Sequence, residues 1–294
     1  MSAFIGFFSD SFGYVLNYIY NLVQNYGLSI ILFSILLKII LLPLSVKQHK
    51  TMMKTSKIQT EMKAIQTKYK KEPEKMNKEV MELYKRNNMS PFSGCSSVIV
   101  QMILLFAIFF LVRNPLTHMK KIDPVVLENY TTEITQEIGE EGISTQYSEI
   151  SVVKYVQGKD LKDSEFYINM EFLGLDLSNV PQENFHNWTV YIIPVLYVLS
   201  STISIRLINS MNAKNNKKED IIEVNGEKKE PEEPDMAAQM SKTMTWMMPI
   251  MSVSISIIAP LGLALYWLIN NVLMVIEKLI LNKVLSSKEE EKNA

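Results

Sequence analysis

The stretch ILFSILLKIILLPL, residues 31–44, determines the fold class of this chain. Apart from Ser34, Lys38 and Pro43, every side chain in it is aliphatic or aromatic. A run this apolar, extended to about 20 residues, has the composition of a helix that crosses a lipid bilayer. A lysine near the centre of such a helix costs about 3 kcal/mol to place in hydrocarbon. We therefore predict a membrane-spanning helix in which Lys38 has a function.

The composition argues against enzymatic or metal chemistry. The chain has 294 residues and a single cysteine, Cys95, which excludes an internal disulfide. Its three histidines are scattered and do not follow the spacing of metal ligands. No glycine-rich phosphate-binding loop occurs, which argues against a nucleotide-driven pump. We predict no catalytic residues, no cofactor and no bound metal.

Five apolar segments are predicted to lie in the membrane. They are residues 27–47, 95–113, 188–206, 243–259 and 260–283. Several are short, since the most apolar part of the second covers about 22 Å as a helix, against about 30 Å of hydrocarbon. We expect flanking side chains that reach the interface, or a bilayer that is thinner around the protein.

The distribution of positive charge predicts the orientation of these segments. Residues 47–86 carry twelve lysines and arginines, and residues 206–242 carry seven more. Residues 114–187 carry only five lysines beside thirteen acidic residues, so we place this loop and the N-terminus outside. The cytoplasmic segments are then residues 48–93, 207–242 and the C-terminal tail 284–294.

Two further helical elements are predicted outside the spans. Residues 1–26 place apolar side chains on a helical stripe, which indicates an amphipathic helix on the outer membrane interface. The stripe consists of Phe4, Phe7, Phe8, Phe12, Val15, Leu16, Ile19 and Leu22. Residues 48–93 predict a helical hairpin that turns at Pro73. Its lysines fit a solvated cytoplasmic face, or attraction to anionic lipid or ribosomal RNA. The fold class is thus an all-α polytopic membrane protein.

Five motifs in register resemble the YidC-type membrane protein insertases, which are related to the mitochondrial and chloroplast insertases. In order they are LLKIILLPLSVKQ, EVMELYKRNNMSPFSGCSSVIVQM, FLGLDLS, MSKTMTWMMPIM and PLGLALYWLINN. The resemblance implies a core of five transmembrane helices around a hydrophilic groove. This groove would open to the cytoplasm and to lipid and be closed on the outside. It implies a bacterial plasma-membrane protein whose positive groove residue, usually arginine, is Lys38.

The predicted client-binding groove combines the resemblance with the polar residues of the spans. The resemblance places Ser34 and Trp267 in contact with the client helix. Neutral polar groups that could line the groove are Gln101, Asn270 and Asn271, and interhelical hydrogen bonds are the alternative for each. Tyr266 is included with Trp267, although both also fit an aromatic belt at the outer interface.

A methionine-rich surface is predicted at the approach to the fourth span. Flexible thioether side chains suit a surface that receives many different apolar sequences, and packing is the alternative reading. Its members are Met240, Met244, Met247 and Met248.

The predicted function is insertion of membrane proteins. Nascent membrane proteins would be the clients, and the Sec translocon, the ribosome and membrane lipids further partners, with no role for DNA. Two alternatives stay open. One is a specialised assembly factor or paralogue that recruits partners, because Ser96, Ser97 and Ile103 stand where the family often has prolines. The other, a small-solute transporter, is disfavoured because the spans show no inverted repeat.

Overall fold

The computed structural model describes residues 2–89, 93–139, 142–217, 254 and 256–293. Within these ranges the chain is mostly helical. The helices are α1 Ser2–Val23, α2 Tyr26–Lys68, α3 Pro73–Arg86, α4 Ser93–Arg113, α5 Pro124–Ile138, α6 Ser148–Gly158, α7 Ile192–Lys217 and α8 Leu261–Asn293. A π-helical turn, Leu116–Lys120, follows α4, and a 3₁₀ turn, Trp188–Tyr191, precedes α7.

Three of the helical segments are long and apolar enough to cross a bilayer. They are Tyr26–Thr55, Trp188–Leu207 and Leu261–Val284. Ile99–Arg113 is a shorter apolar helix, and the predicted span 243–259 lies mostly outside the described residues. The prediction of a mostly helical, multi-pass membrane protein is therefore confirmed, while the five-helix core stays a prediction.

The chain divides into two compact units. Unit 1 comprises Met1–Leu36 and Ala107–Lys278, and unit 2 comprises Leu37–Phe106 and Leu279–Ala294. The boundary falls within α2, which continues beyond the predicted end of the first span to Lys68. No glycine occurs between residues 28 and 68, and Pro43 is accommodated within the helix.

In unit 2, α3 folds back along the end of α2. Pro73 occupies the first turn of α3, a position where its missing N–H costs no hydrogen bond. The hydroxyl of Tyr84 lies 3.8 Å from the sulfur of Met62, and Arg86 pairs with Glu61 at 3.3 Å. Leu83 is buried, whereas the Arg86–Glu61 pair is exposed and contributes little stability. The turn between α2 and α3 thus lies directly before Pro73.

The loop predicted over residues 114–187 contains ordered structure. Helix α5 begins where the side chain of Asp123 accepts a hydrogen bond from the N–H of Val125, with Pro124 in the first turn. This Asp-Pro pair is a helix-start signal within a stretch that was predicted as a loop. The rings of Tyr130 and Phe166 stack at 4.1 Å, which joins α5 to the segment after α6. The described residues of 114–187 therefore include a small folded region, here termed the cap.

This cap also contains the one departure from the all-α prediction within the described residues. Strands β1 Glu171–Phe172 and β2 Leu175–Asp176 pair in antiparallel fashion. Leu173 and Gly174 connect them with positive φ angles of 52° and 78°. Positive φ at both central residues matches the right-handed twist of a tight hairpin, and glycine adopts it without steric cost. The FLGLDLS motif alternates leucine with glycine, aspartate and serine, but each strand is only two residues long.

Helix α1 packs against α2 and α4 within unit 1 rather than presenting one uniform face. The hydroxyl of Ser9 is buried and donates to the carbonyl oxygen of Ala107 at 2.9 Å. The rings of Phe12 and Phe33 lie 5.9 Å apart. The predicted apolar stripe therefore contains both buried and exposed side chains. Its buried members are Leu16 and Ile19, and its exposed members are Phe4, Phe7, Val15 and Leu22. Its position on the membrane interface stays a prediction.

A charged contact joins α1 to the π-helical turn. Asp10 accepts from Lys121 at 2.5 Å and lies 2.9 Å from the Nδ1 atom of His118. Burial acts to raise the pKa of Asp10, but the hydrogen bonds from Lys121 and His118 prevail and lower it. The carboxylate is therefore held in its charged form where α1 meets the turn.

Glu149 is a buried carboxylate that anchors the start of the π-helical turn. Its Oε2 accepts from the N–H of Leu116 at 2.7 Å and of Thr117 at 3.0 Å, and its Oε1 accepts from the Thr117 hydroxyl at 2.6 Å. Burial raises the pKa of Glu149, although the three hydrogen bonds act against that rise. The first amides of the turn thus obtain acceptors from a helix 32 or 33 residues away in the sequence.

Replacing Glu149 should test this anchor. Glu149→Ala leaves two amides without an acceptor and should destabilise unit 1 by about 3 kcal/mol, with Glu149→Gln intermediate. Because the folded-state pKa is raised above 4.5, the wild-type carboxyl group stabilises the fold most below pH 4.5 and loses that contribution as the pH rises through its folded-state pKa. Thermal unfolding measured against pH should show this component in the wild type. A Glu149→Gln curve with the same pH dependence would contradict the assignment.

Candidate client-binding groove

The predicted groove is composed of residues from both units. Four belong to unit 1: Ser34, Tyr266, Trp267 and Asn270. Two belong to unit 2: Lys38 and Gln101.

In unit 2, the two polar residues retain accessible surface. Lys38 is half-buried on α2, and Gln101 is exposed on α4. The two residues that follow the lysine, Ile39 and Ile40, are 63% and 61% exposed. Exposed isoleucines on an apolar helix fit contact with lipid. Lys38 therefore lies on a helix that also exposes apolar side chains suited to contact with lipid.

In unit 1, the predicted groove residues differ in accessibility. Trp267 and Asn270 are half-buried on α8 and can offer surface to a bound segment. Tyr266 is buried, and so is Ser34, whose hydroxyl donates to the carbonyl oxygen of Ile30 at 2.7 Å. This bond within the helix uses the only hydroxyl proton of Ser34. Ser34 therefore has no hydroxyl proton left for a further hydrogen bond.

Asn271 makes hydrogen bonds between helices. Its Nδ2 donates to the hydroxyl oxygen of Ser200 at 3.0 Å, and its Oδ1 lies 3.1 Å from the hydroxyl oxygen of Ser204. Ser204 also lies within 2.7 Å of the carbonyl oxygen of Ser200. Of the two readings of Asn271, the structure supports the interhelical one, and the cluster joins α7 to α8. The serines four residues apart on α7 were a signal that could have identified its partners.

The remaining predicted surface lies outside the described residues. Met240, Met244, Met247 and Met248 all fall in the part of the chain that is not described. Among the described residues, no group of three or more histidine, cysteine or acidic side chains could hold a metal ion.

Comparison with known proteins connects this arrangement to a family. The profile of the family described as "60Kd inner membrane protein" matches residues 18–289. The "Membrane protein insertase YidC" of Treponema denticola is 24% identical over 273 residues, which are 92% of this chain and 36% of that protein. The protein of the same name from Helicobacter pylori is 27% identical over 290 residues, covering 97% of this chain and 38% of the relative.

A shorter match is closer in sequence. The "Membrane protein insertase YidC" of Fusobacterium nucleatum is 39% identical over 114 residues, which are 39% of this chain and 56% of that protein. The chain thus spans less than two thirds of the length of each of these relatives. The profile, in contrast, covers most of the chain. The chain therefore belongs to the family of the 60Kd inner membrane protein, and the resemblance to the YidC-type insertases is confirmed.

Proposed function

We propose that this protein is a membrane protein insertase. It would move polar and acidic extracytoplasmic segments of client proteins across the bilayer and release their apolar helices into lipid. The observation that carries the proposal is the match to the family over residues 18–289, together with relatives named as insertases. Those names also support the prediction that the chain is not an enzyme.

Lys38 is the residue on which the proposed mechanism depends. A cation in a hydrophilic groove lowers the free energy of an acidic segment that is partway across the membrane, which divides one high barrier into two lower ones. Burial of the client's apolar helix in lipid then supplies the driving force, so no nucleotide is required. The half-buried position of Lys38 on an otherwise apolar part of α2 supports this role.

Other groove residues would contact the client rather than attract it. Trp267 and Asn270 have accessible surface on α8, and Gln101 is exposed on α4, which supports their place in the groove. Ser34 and Tyr266 would form its floor because both are buried. The four methionines would receive apolar client helices at the approach to the fourth span.

The helical hairpin and α1 would act on opposite sides of the membrane. The lysine-rich end of α2 with α3 would receive nascent chains, and the ribosome, the Sec translocon and anionic lipid are its proposed partners. On α1, exposed Phe4, Phe7 and Leu22 support contact with the outer leaflet.

The proposed orientation predicts opposite labelling of two exposed sites. In a Cys95→Ser background, Asp160→Cys should react with a membrane-impermeant thiol reagent added to intact cells. Lys70→Cys, at the turn between α2 and α3, should react only after the cells are opened. Mass shift on a gel measures both reactions. The reverse pattern would contradict the orientation.

Reconstitution tests the function itself. The purified full chain in liposomes should render the translocated tail of a single-span client resistant to added protease, while protein-free liposomes should leave it digestible. Equal protection in both would contradict the insertase proposal. Protection that appears only when translocon components are added would favour the alternative, an assembly factor that recruits partners.

A further inference from the structure

The cap meets α7 through residues 182–189, here termed the docking turn. The N–H of Asn187 donates to the carbonyl oxygen of Asn184 at 3.0 Å, and the Asn184 side chain donates to the carbonyl oxygen of Val180, also at 3.0 Å. The side chain of Asn187 accepts from the N–H of Thr189 at 3.1 Å and from its hydroxyl at 2.7 Å. Polar groups that are already paired cost less to remove from water. The docking turn can therefore enter a partly apolar environment at a low cost.

Two aromatic side chains of the docking turn are turned away from the protein. Phe185 is 62% exposed and Trp188 is 73% exposed. The Phe185 ring lies 4.0 Å from the ring of His186, which is also exposed. No aspartate, glutamate, lysine or arginine occurs from residue 184 to residue 205. Exposed apolar surface of this kind is typical of a site that contacts a membrane or a protein partner.

The side chains of α7 show which of these two partners fits. The helix and the 3₁₀ turn before it have a buried stripe that consists of Val190, Ile193, Tyr197, Ser201 and Ser204. They also have an exposed stripe with the spacing of one helical face, and its members are Trp188, Val195, Leu199 and Ile203. Exposed aliphatic side chains on a helix long and apolar enough to cross a bilayer fit contact with acyl chains. Trp188 lies at the N-terminal end of this lipid-facing stripe, so the docking turn continues a lipid surface.

The length of α7 places Trp188 at the level of the lipid headgroups. The first charged residue after Trp188 is Arg206, 18 residues further along the chain. This separation is about 27 Å along a helix, close to the hydrocarbon thickness of about 30 Å. Tryptophan and arginine are both side chains that anchor a spanning helix at the membrane interfaces. With Arg206 at one interface, Trp188 reaches the other, and Phe185 lies in the part of the docking turn that precedes it.

We propose that the docking turn holds the cap against the bilayer, with Phe185 and Trp188 inserted among the phospholipids of the leaflet on the cap side. The partner is a phospholipid surface, because the exposed rings continue the lipid-facing stripe of α7 and no acidic or basic side chain interrupts them. The paired asparagines lower the cost of bringing the backbone into the interface. The inference rests on α7 spanning the membrane and not on client insertion.

Fluorescence quenching tests the position of Trp188. In a Trp246→Phe and Trp267→Phe background, Trp188 is the only tryptophan of the full chain. The protein is reconstituted alone into liposomes in which part of the phospholipid carries bromine on its acyl chains. Because a tryptophan in the interface lies next to the acyl chains, brominated lipid should quench its emission by at least about half. Iodide, present on both sides of the membrane, should quench it only weakly.

Two further variants, each with Trp188→Phe in the same background, separate the docking turn from the span and from the rest of the cap. Phe185→Trp should behave like Trp188. Leu161→Trp is the control, since Leu161 is exposed between Asp160 and Lys162, which pair at 3.1 Å. We expect iodide to quench this control about tenfold more strongly than Phe185→Trp, because water surrounds it.

The comparison of these two variants decides the proposal. If iodide quenches Phe185→Trp as strongly as Leu161→Trp, and brominated lipid leaves it unchanged, the docking turn faces water and the proposal is overturned. The same result is expected if a protein partner covers this surface, since the liposomes contain no other protein. No client is used, so failure of this contact and failure of the insertase proposal are distinguishable.

Discussion

A Gly13→Val variant should lose the docking of α1 on the π-helical turn and about 3 kcal/mol of stability. A Cβ atom at position 13 would lie 1.8 Å from the carbonyl oxygen of His118 and 2.6 Å from its carbonyl carbon. These are backbone atoms, so no side-chain rotation can relieve the overlap. The turn itself is anchored by Glu149, which restricts its movement away from α1.

Gly6→Val is the matched control for this variant. It lies in the same helix, and a Cβ atom there has no described atom within 4 Å. Both changes alter the helix propensity equally, so their difference reports the contact with His118. Thermal unfolding in detergent and the rate of proteolysis within α1 measure the effect. Equal loss of stability in the two variants would contradict the close packing of α1.

The spanning helices could be predicted from the sequence because their signal is local. Residues 31–44 contain one charge among aliphatic side chains, and no partner is needed to recognise a membrane helix in such a run. The turn at Pro73 was predictable for the same reason, since proline limits where a helix can continue.

The cap could not be predicted in this way because its structure depends on contacts between residues far apart in the sequence. Glu149 accepts hydrogen bonds from the amides of Leu116 and Thr117. Position 13 must be glycine because a Cβ atom there would overlap the carbonyl group of His118, more than a hundred residues later. Glycine at position 13 carries no helix-packing signal by itself. A single acidic residue in a charged loop likewise gives no sign that it is buried.

The sequence identifies candidate residues for the groove but does not determine which of their side chains are accessible. The spacing of Ser34 and Lys38 places both on one face of α2. The Ser34 hydroxyl donates a hydrogen bond to the carbonyl oxygen of Ile30 in a part of the helix that is buried. The periodicity of the sequence does not determine this burial. The role of Asn271 could likewise not be predicted from its own position, because it depends on hydrogen bonds to two serines on α7.

Changing the charge of Lys38 should have the largest effect on client insertion. At about 5 Å and an effective dielectric constant of about 20, one charge pair contributes about 3 kcal/mol before screening. Salt and groove water reduce this value, so we expect roughly a tenfold loss of insertion for Lys38→Ala with an acidic client tail. Lys38→Arg should retain insertion, and Lys38→Glu should be the most defective. Lys162→Glu, an equal change of charge on an exposed residue outside the groove and the hairpin, is the control.

The most direct test of the electrostatic role of Lys38 uses client pairs that differ only in aspartates of the translocated tail. Each Lys38 variant is reconstituted alone into liposomes, and insertion is scored by protease protection of the tail. If Lys38 attracts the client by its charge, insertion of the acidic client should decrease in the order Arg, Ala, Glu at position 38, and insertion of the neutral client should depend much less on this charge. Equal losses for Lys38→Ala and Lys38→Glu with both clients would contradict it, because Lys38 would then support the helices without attracting the client.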